Sequence, residues 1–400
     1  MSTAQTLPSE AEVIIIGGGI VGCSIAYHLA KRGVKDVVLL ERKQLTCGTT
    51  WHAAGLVSML WPTPTLTNLA KYCHELYASL ESETGQATGY KRIGSVSLAR
   101  NSERLEELQR TSSMAKVFGV SSQMINNQEL EALYPGVNTE GVVGSLYVEK
   151  DGQTNPIDTT MALAKGARAL GVQIIENTKV DDILLDGDKA VGVRCGETSI
   201  KGKKIILTGG LWSREIAKKI GIKLPLYACE HYYVVTEAMP KLTPRPVMRD
   251  FDKGIYFKED AGKMLIGWFE KNAIGCPMTR IREDFSFDEF PVDMGHIEPY
   301  LMAAMETFPQ IGETGIRTFF NGPESFTNDN LHLLGPTPEI ENFYVACGMN
   351  SKGIAAAGGL GKIFADWVVD GYPSGEITET DVRRNNSIQT TQSYVESRIP

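Results

Sequence analysis

The pattern of apolar and polar positions changes character along the chain. Val13, Ile14, Ile15 and Ile16 form a short β-branched run without alternation, as in a strand buried on both faces. Ile20, Ile25, Ala26 and Leu29 then recur at helical spacing, and Lys31, Arg32 and Gly33 supply a basic last turn and a stop. "DVVLLE" over residues 36–41 reads as a second buried strand. Strand, glycine turn and helix are expected twice more. "KGKKIILTGGLWS" closes a strand on Thr208, Gly209 and Gly210, and "NFYVACGMNSKGIAAAGG" passes through a glycine turn into a small-residue helix beginning near Gly353. "GARALGVQIIENTKVDDILLDGDKAVGVRC" predicts helix, strand and a hairpin turning at Asp186-Gly187.

Residues 60–150 and 225–325 have a different texture. They hold most of the prolines and aromatics, and runs such as "HYYVVT", "GIYFK" and "KMLIGWF" predict a β-rich region with helices on one side. The tail, "ETDVRRNNSIQTTQSYVESRIP", reads as polar and without a compact element.

The glycines after the first strand add chemistry. "GGGIVG" places Gly17, Gly19 and Gly22 at G-x-G-x-x-G spacing, and Glu41 ends the second strand 19 residues after Gly22. Gly17 permits the tight turn, Gly19 lets backbone approach a pyrophosphate, and Gly22 lets helix and strand pack closely. The helix N-terminus offers unpaired N–H groups to that pyrophosphate. Glu41 suits a ribose 2′-hydroxyl and repels a 2′-phosphate, which favours FAD or NAD over NADP. Gly210 is a second place for close backbone approach, and the helix at Gly353 points its dipole at the electron-rich end of a flavin. The expected fold is α/β: a discontinuous Rossmann-like, glutathione-reductase-like FAD-binding domain over 1–85, 150–225 and 325–400, with a β-rich substrate-binding domain inserted over 86–149 and 226–324.

Composition narrows the class. The chain has 400 residues, 42% apolar and 22% charged, with net charge −8, so lysine and arginine are too dilute for a phosphate-tracking surface and no nucleic acid is expected. Seven cysteines, odd in number and never spaced C-x-x-C, argue against a disulfide framework or a zinc ribbon. No metal site is expected. No apolar run reaches the length of a membrane span, and "MSTAQTLPSE" lacks the features of a leader, so a cytoplasmic protein is expected.

His52 lies in "TCGTTWHAAG" (residues 46–55), too rich in glycine and threonine for a comfortable helix and too short for a strand. The residues between Glu41 and His52 can extend about 35 Å, so His52 can reach a flavin ring while Glu41 holds the ribose at the other end.

With "VIIIGGGIVGCSIAYHL", "GTTWHAAGL", "CEHYYVV", "GIYFK", "NGPESFTND" and "GMNSKGIAAAGG", the whole chain resembles the FAD-dependent amine oxidoreductases of the D-amino-acid-oxidase superfamily. Within it, the likeness is to the flavin domains of sarcosine and dimethylglycine dehydrogenases. The resemblance implies FAD attached covalently through His52 to the flavin 8α-methyl. It also implies a catalytic pair, His231 to keep the substrate amine neutral and Tyr256 to orient it. Arg42, Thr49, Thr50, Val180, Gly348 and Lys352 join Gly17, Gly19, Gly22, Glu41, Gly210 and Gly353 as expected cofactor contacts. Arg249 and Lys352 are the candidates for a substrate carboxylate. The implied reaction is oxidative N-demethylation of a small N-methyl amino acid, giving formaldehyde, with an electron-transfer flavoprotein as the family's acceptor. His332 stands where relatives usually have proline. Such dehydrogenases continue into a folate-binding domain, and no folate site is expected within these residues. Two rival readings are a non-catalytic regulatory protein on the same fold, similar to the pyruvate dehydrogenase phosphatase regulatory subunit, and an oxygen-using oxidase of another secondary amine.

Overall fold

The β-branched run becomes the strand Glu10–Ile16, buried throughout from Val13 to Ile16. The computed structural model describes residues 6–399; Met1–Gln5, half of the stretch screened for a leader, and Pro400 lie outside them. Glu10–Ile16 sits mid-way in a parallel sheet ordered Gln173–Ile175, Val37–Leu40, Glu10–Ile16, Thr198–Leu207, Phe343–Cys347. Its alternate side chains feed two cores. Val13 and Ile15 join the helices Ile20–Lys31, Pro64–Thr84, Pro156–Ala169 and Gly353–Asp370. Ile14 and Ile16 face the hairpin Asp182–Asp186/Lys189–Cys195 and the Ala217–Leu224 segment.

The small residues of Gly353–Asp370 have a packing reason. A Cβ on Gly359 would lie 2.5 Å from the Leu69 Cα, and one on Gly361 would lie 2.3 Å from the Ser24 Oγ. The helix is therefore pressed between two neighbours at distances that only glycine and alanine allow.

The alternating segments form a second, nine-stranded sheet. Its centre runs Ile316–Thr327, Leu226–Thr236, Lys263–Trp268, Ile255–Asp260, Val247–Asp250, Ser95–Ala99. One face buries Tyr232, Val234, Met248, Phe257 and Ile266 against Ile297, Ala304 and Phe308, the last two positions lying in and just after the helix Met294–Thr307. The opposite face therefore receives the residues between them, which include His231, Tyr233, Arg249 and Tyr256.

The tail departs from the sequence expectation. Thr380 and Val395 are fully buried, and Arg384 donates to Asp329, to the His332 carbonyl and to the Leu331 carbonyl. A polar composition hid this, because its anchors are hydrogen bonds to backbone and a few isolated apolar residues rather than a periodic stripe. No helix among the described residues is long and apolar enough to cross a membrane.

Candidate active site

A cleft of about 420 Å³ opens at the carboxyl end of the parallel sheet. Gly17, Gly19, Glu41, Arg42, Thr49, Thr50, Val180, Gly210 and Gly353 all line it. Gly17 turns the chain at φ +115°, and a Cβ on it would meet the Thr208 carbonyl oxygen at 2.5 Å. Gly22 lies behind the turn, where a Cβ would come within 2.0 Å of the Gly17 carbonyl oxygen. The Thr208 hydroxyl donates to the carbonyls of Ile16 (2.9 Å) and Gly17 (3.0 Å), which fixes the turn from below.

The Glu41 carboxylate is held in place by backbone. Its oxygens accept from the N–H groups of Gly18 (2.7 Å) and Lys43 (2.9 Å). Arg42 stacks its guanidinium 4.0 Å from the Trp212 ring centre and donates to the carbonyls of Glu283 and Phe285. Residues 283–285 come from the second sheet's side of the molecule, so Arg42 straps them over this end of the cleft. Thr50 turns its hydroxyl to the Ile20 N–H (3.1 Å), in the first turn of the glycine-rich helix.

"TCGTTWHAAG" is neither helix nor strand but a 3₁₀ turn, Thr50–His52. His52 does not itself line the cleft, although Thr50 and Ala53 on either side of it do. Its ring stacks on Phe320 with centres 4.8 Å apart, and Phe320 stacks on Tyr233 at 4.7 Å. The His52 Nε2 is buried with no hydrogen-bond partner among the described residues, and a Cβ on Gly322 would lie 3.2 Å from it. Gly322 pairs across the sheet with His231, so His52 lies against the rung that carries His231. Lys258, buried two residues after Tyr256, donates to the Ala54 carbonyl at 2.9 Å and fastens the histidine loop to this sheet.

Strand register brings the remaining residues together. Phe320, Tyr233, Gly267, Tyr256, Arg249 and Ser97 form one continuous rung. The Tyr256 ring lies across Gly267, where a Cβ would sit 2.2 Å from the phenol oxygen. His231 Nδ1 is 3.3 Å from Glu270 Oε2, and its Nε2 has no protein partner among the described residues. Burial acts against its protonation, but the hydrogen bond and charge of Glu270, with Glu324 behind, raise His231 above 6.5. Burial pushes the Tyr256 phenol far up, so it remains a hydrogen-bond donor.

The two carboxyl candidates part company here. Lys352 spends its ammonium on Asn330, at 2.7 Å from the carbonyl oxygen and 2.8 Å from Oδ1, and burial lowers it to about 8. Gly348 and Lys352 flank cleft residues without lining the cleft. Arg249 donates to the Ser58 hydroxyl and makes no ion pair among the described residues. Glu270 and Glu324 were missed by sequence reasoning. Glu324 lines the cleft and accepts from the Ser351 hydroxyl at 2.6 Å. Its signal lay in "NGPESFTND", a motif recognised as a block without singling out its acid.

Burial holds His52 and His332 at about 3, and His28 and His74 at about 4. Unfolded, these imidazoles titrate near 6.5, so below that pH the unfolded chain binds the extra protons. Their contribution to stability is present above pH 6.5 and is lost as pH falls toward 4 and 3, by about 2 kcal/mol for each histidine at pH 5. The urea midpoint of the flavin-free chain is expected to drop between pH 7 and pH 5; equal midpoints would show that these sites protonate without cost.

The family model described as FAD dependent oxidoreductase matches residues 12–367. The chain belongs to that family. Its cofactor is FAD, and the site fits it: a glycine turn without room for a Cβ, a carboxylate anchored by backbone, and a cleft leading toward a buried, unpartnered imidazole nitrogen. The chain is 39% identical over 396 residues to 4-methylaminobutanoate oxidase (formaldehyde-forming) of Paenarthrobacter nicotinovorans, covering 98% of this chain and 48% of that protein. It is 36% identical to human mitochondrial sarcosine dehydrogenase, covering 95% and 42% respectively. It thus spans about half the length of the curated relatives it matches. In fold it is similar to L-proline dehydrogenase from P. horikoshii, with TM-score 0.86 and 24% identity over 94% of this chain and 98% of that one.

Proposed function

We propose that this chain is the flavin-bearing part of an amine oxidoreductase that oxidises small N-methyl amino acids, with loss of the methyl group as formaldehyde. The observation that carries the reading is the approach of the unpartnered His52 Nε2 to Gly322, the cross-strand partner of the carboxylate-backed His231. Bound FAD supplies the two-electron acceptor. The protein supplies position and proton control. An amine that arrives as an ammonium ion has no lone pair with which to assist C–H cleavage. In this reading His231 Nε2 takes that proton, with Glu270 orienting the ring and stabilising the resulting imidazolium through Nδ1. Tyr256 offers a permanent donor beside it, held flat by the missing side chain of Gly267. Arg249 offers the carboxylate contact. The names of the relatives, a methylaminobutanoate oxidase and a sarcosine dehydrogenase, support the substrate class.

The same reading assigns His52 Nε2 to covalent attachment of the flavin. Burial keeps His52 neutral, as a nucleophilic nitrogen must be, and leaves Nε2 without a competing donor or acceptor. After denaturation in acid, the yellow chromophore is expected to sediment with the wild-type chain and to remain in the supernatant of His52→Ala. Yellow supernatant from the wild type would refute the attachment. Anaerobic reduction of the flavin by an N-methyl amino acid tests the activity itself.

A further inference from the structure

The catalytic face carries unlike charges at its two ends, with aromatic rings between them. At one end, Glu270 is 6% exposed; its Oε2 meets His231, and its Oε1 is buried with no partner among the described residues. At the other end is Arg249, half-buried and outside any ion pair among the described residues. Asp151 lies near Arg249, but its oxygens are already engaged by the Met59 N–H (2.7 Å) and the Ser95 hydroxyl (2.6 Å). The Ser58 hydroxyl is the only hydrogen-bond partner of the Arg249 side chain among the described residues, so most of the guanidinium's donors are open to a ligand. Between the ends, the Phe269 ring lies 5.4 Å from that of His231 and 5.7 Å from that of Tyr256.

Strand order gives the separation. Three steps, through Lys263–Trp268 and Ile255–Asp260, divide the strand of His231 from that of Arg249. At about 4.8 Å a step the backbones are roughly 14 Å apart, and both side chains rise from the same face. Tyr256 leans across Gly267, away from the strand of Arg249, so it does not fold down over the guanidinium. Charge-assisted hydrogen bonds span about 2.7–2.9 Å at each end of a ligand. The amine and carboxylate of an N-methyl α-amino acid are separated by one carbon, and each further methylene adds about 1.3 Å of reach.

We infer that this site takes an N-methyl ω-amino acid in preference to an N-methyl α-amino acid. The ammonium sits at the Glu270–His231 end, the carboxylate lies on Arg249, and three or more methylenes run along Phe269 and Tyr256. The inference rests on the amine-oxidising function proposed above. It deepens that reading by giving Arg249 the role of measuring chain length.

Two measurements on the FAD-loaded protein test it. The first is anaerobic flavin reduction by sarcosine, 3-(methylamino)propanoate, 4-(methylamino)butanoate and 5-(methylamino)pentanoate. The second is the rise in Tm caused by two quaternary amines, which have no lone pair and are not oxidised: glycine betaine and 4-(trimethylammonio)butanoate. The four- and five-carbon acids are expected to reduce the flavin with kcat/KM at least about 10-fold above sarcosine, the worth of one charge-assisted hydrogen bond. The longer betaine is expected to raise Tm at lower concentration than the shorter. Arg249→Met is expected to erase both preferences and Arg249→Lys to restore them in part. Fastest reduction by sarcosine, or a Tm response favouring glycine betaine, would overturn the inference and leave the amine-oxidising function standing. Failure of all four acids to reduce the flavin would overturn both. Should Arg249→Met not fold, the wild-type acid and betaine series decides alone.

Discussion

Gly22→Ala is expected to give a chain that retains no FAD. The added methyl would lie 2.0 Å from the Gly17 carbonyl oxygen and 2.7 Å from the Thr208 hydroxyl oxygen. Neither neighbour is the end of a flexible side chain. Gly17 O belongs to the turn that faces the cleft, and the Thr208 hydroxyl is committed to the carbonyls of Ile16 and Gly17. Relief therefore requires the helix Ile20–Lys31 to move off the strand, which opens the turn and withdraws its N-terminus from the cleft. FAD affinity should fall by about a hundred-fold or more, read as loss of flavin absorbance after desalting of a chain loaded without covalent linkage, as in the His52→Ala background. Gly33→Ala is the control. That residue ends the same helix at φ +84° with nothing within 4 Å of a Cβ, so it should cost about 1 kcal/mol of stability and no flavin. Equal flavin retention in the Gly22 and Gly33 variants would contradict the turn geometry.

The next largest effect is expected at His231. His231→Leu removes the group proposed to accept the ammonium proton, and kcat/KM should fall by about 10²–10⁴-fold while flavin content stays unchanged. Glu270→Gln separates positioning from mere packing. Glu270 raises His231, so its loss lowers the histidine. Because His231 is proposed to act when deprotonated, activity is expected to rise with pH through its pKa. The wild-type acid limb should therefore lie above pH 6.5, and the limb of Glu270→Gln should move to lower pH. Superimposable pH profiles for flavin reduction would remove Glu270 from this role.

The nucleotide end was legible because its chemistry is local. Two strands, the motif glycines Gly17, Gly19 and Gly22, one helix and a terminal acid lie within residues 10–41, and each obeys a short-range rule of turn, packing or dipole. The face bearing His231 and Tyr256 was legible only in part. Alternation in "HYYVVT" and "GIYFK" put His231 and Tyr256 on strand faces, but only the pairing of four separate strands sets them on adjoining rungs with Arg249. Gly267 looked like an ordinary strand glycine, and its function of admitting the Tyr256 ring exists only in register. Glu270 follows a strand end, where no period marks it, and Glu324 is read as a site residue only once Ser351 and the cleft lie beside it. Lys352 was the opposite case. Its place before a helix near the cleft suggested a ligand contact, but its reach carries the ammonium back to Asn330. The tail's anchoring was invisible for a different reason, since hydrogen bonds from Arg384 to carbonyls leave no trace in hydropathy.

The central claim is that FAD on this chain oxidises N-methyl amino acids at the face bearing His231 and Tyr256. Its most direct test is an anaerobic single turnover of the FAD-loaded wild-type chain, with sarcosine and its longer N-methyl homologues as reductants. Flavin absorbance and formaldehyde are followed together. Bleaching of the flavin with one formaldehyde released per flavin reduced is the predicted result. A flavin that every such amine leaves oxidised would contradict the account and favour a non-catalytic role for the fold.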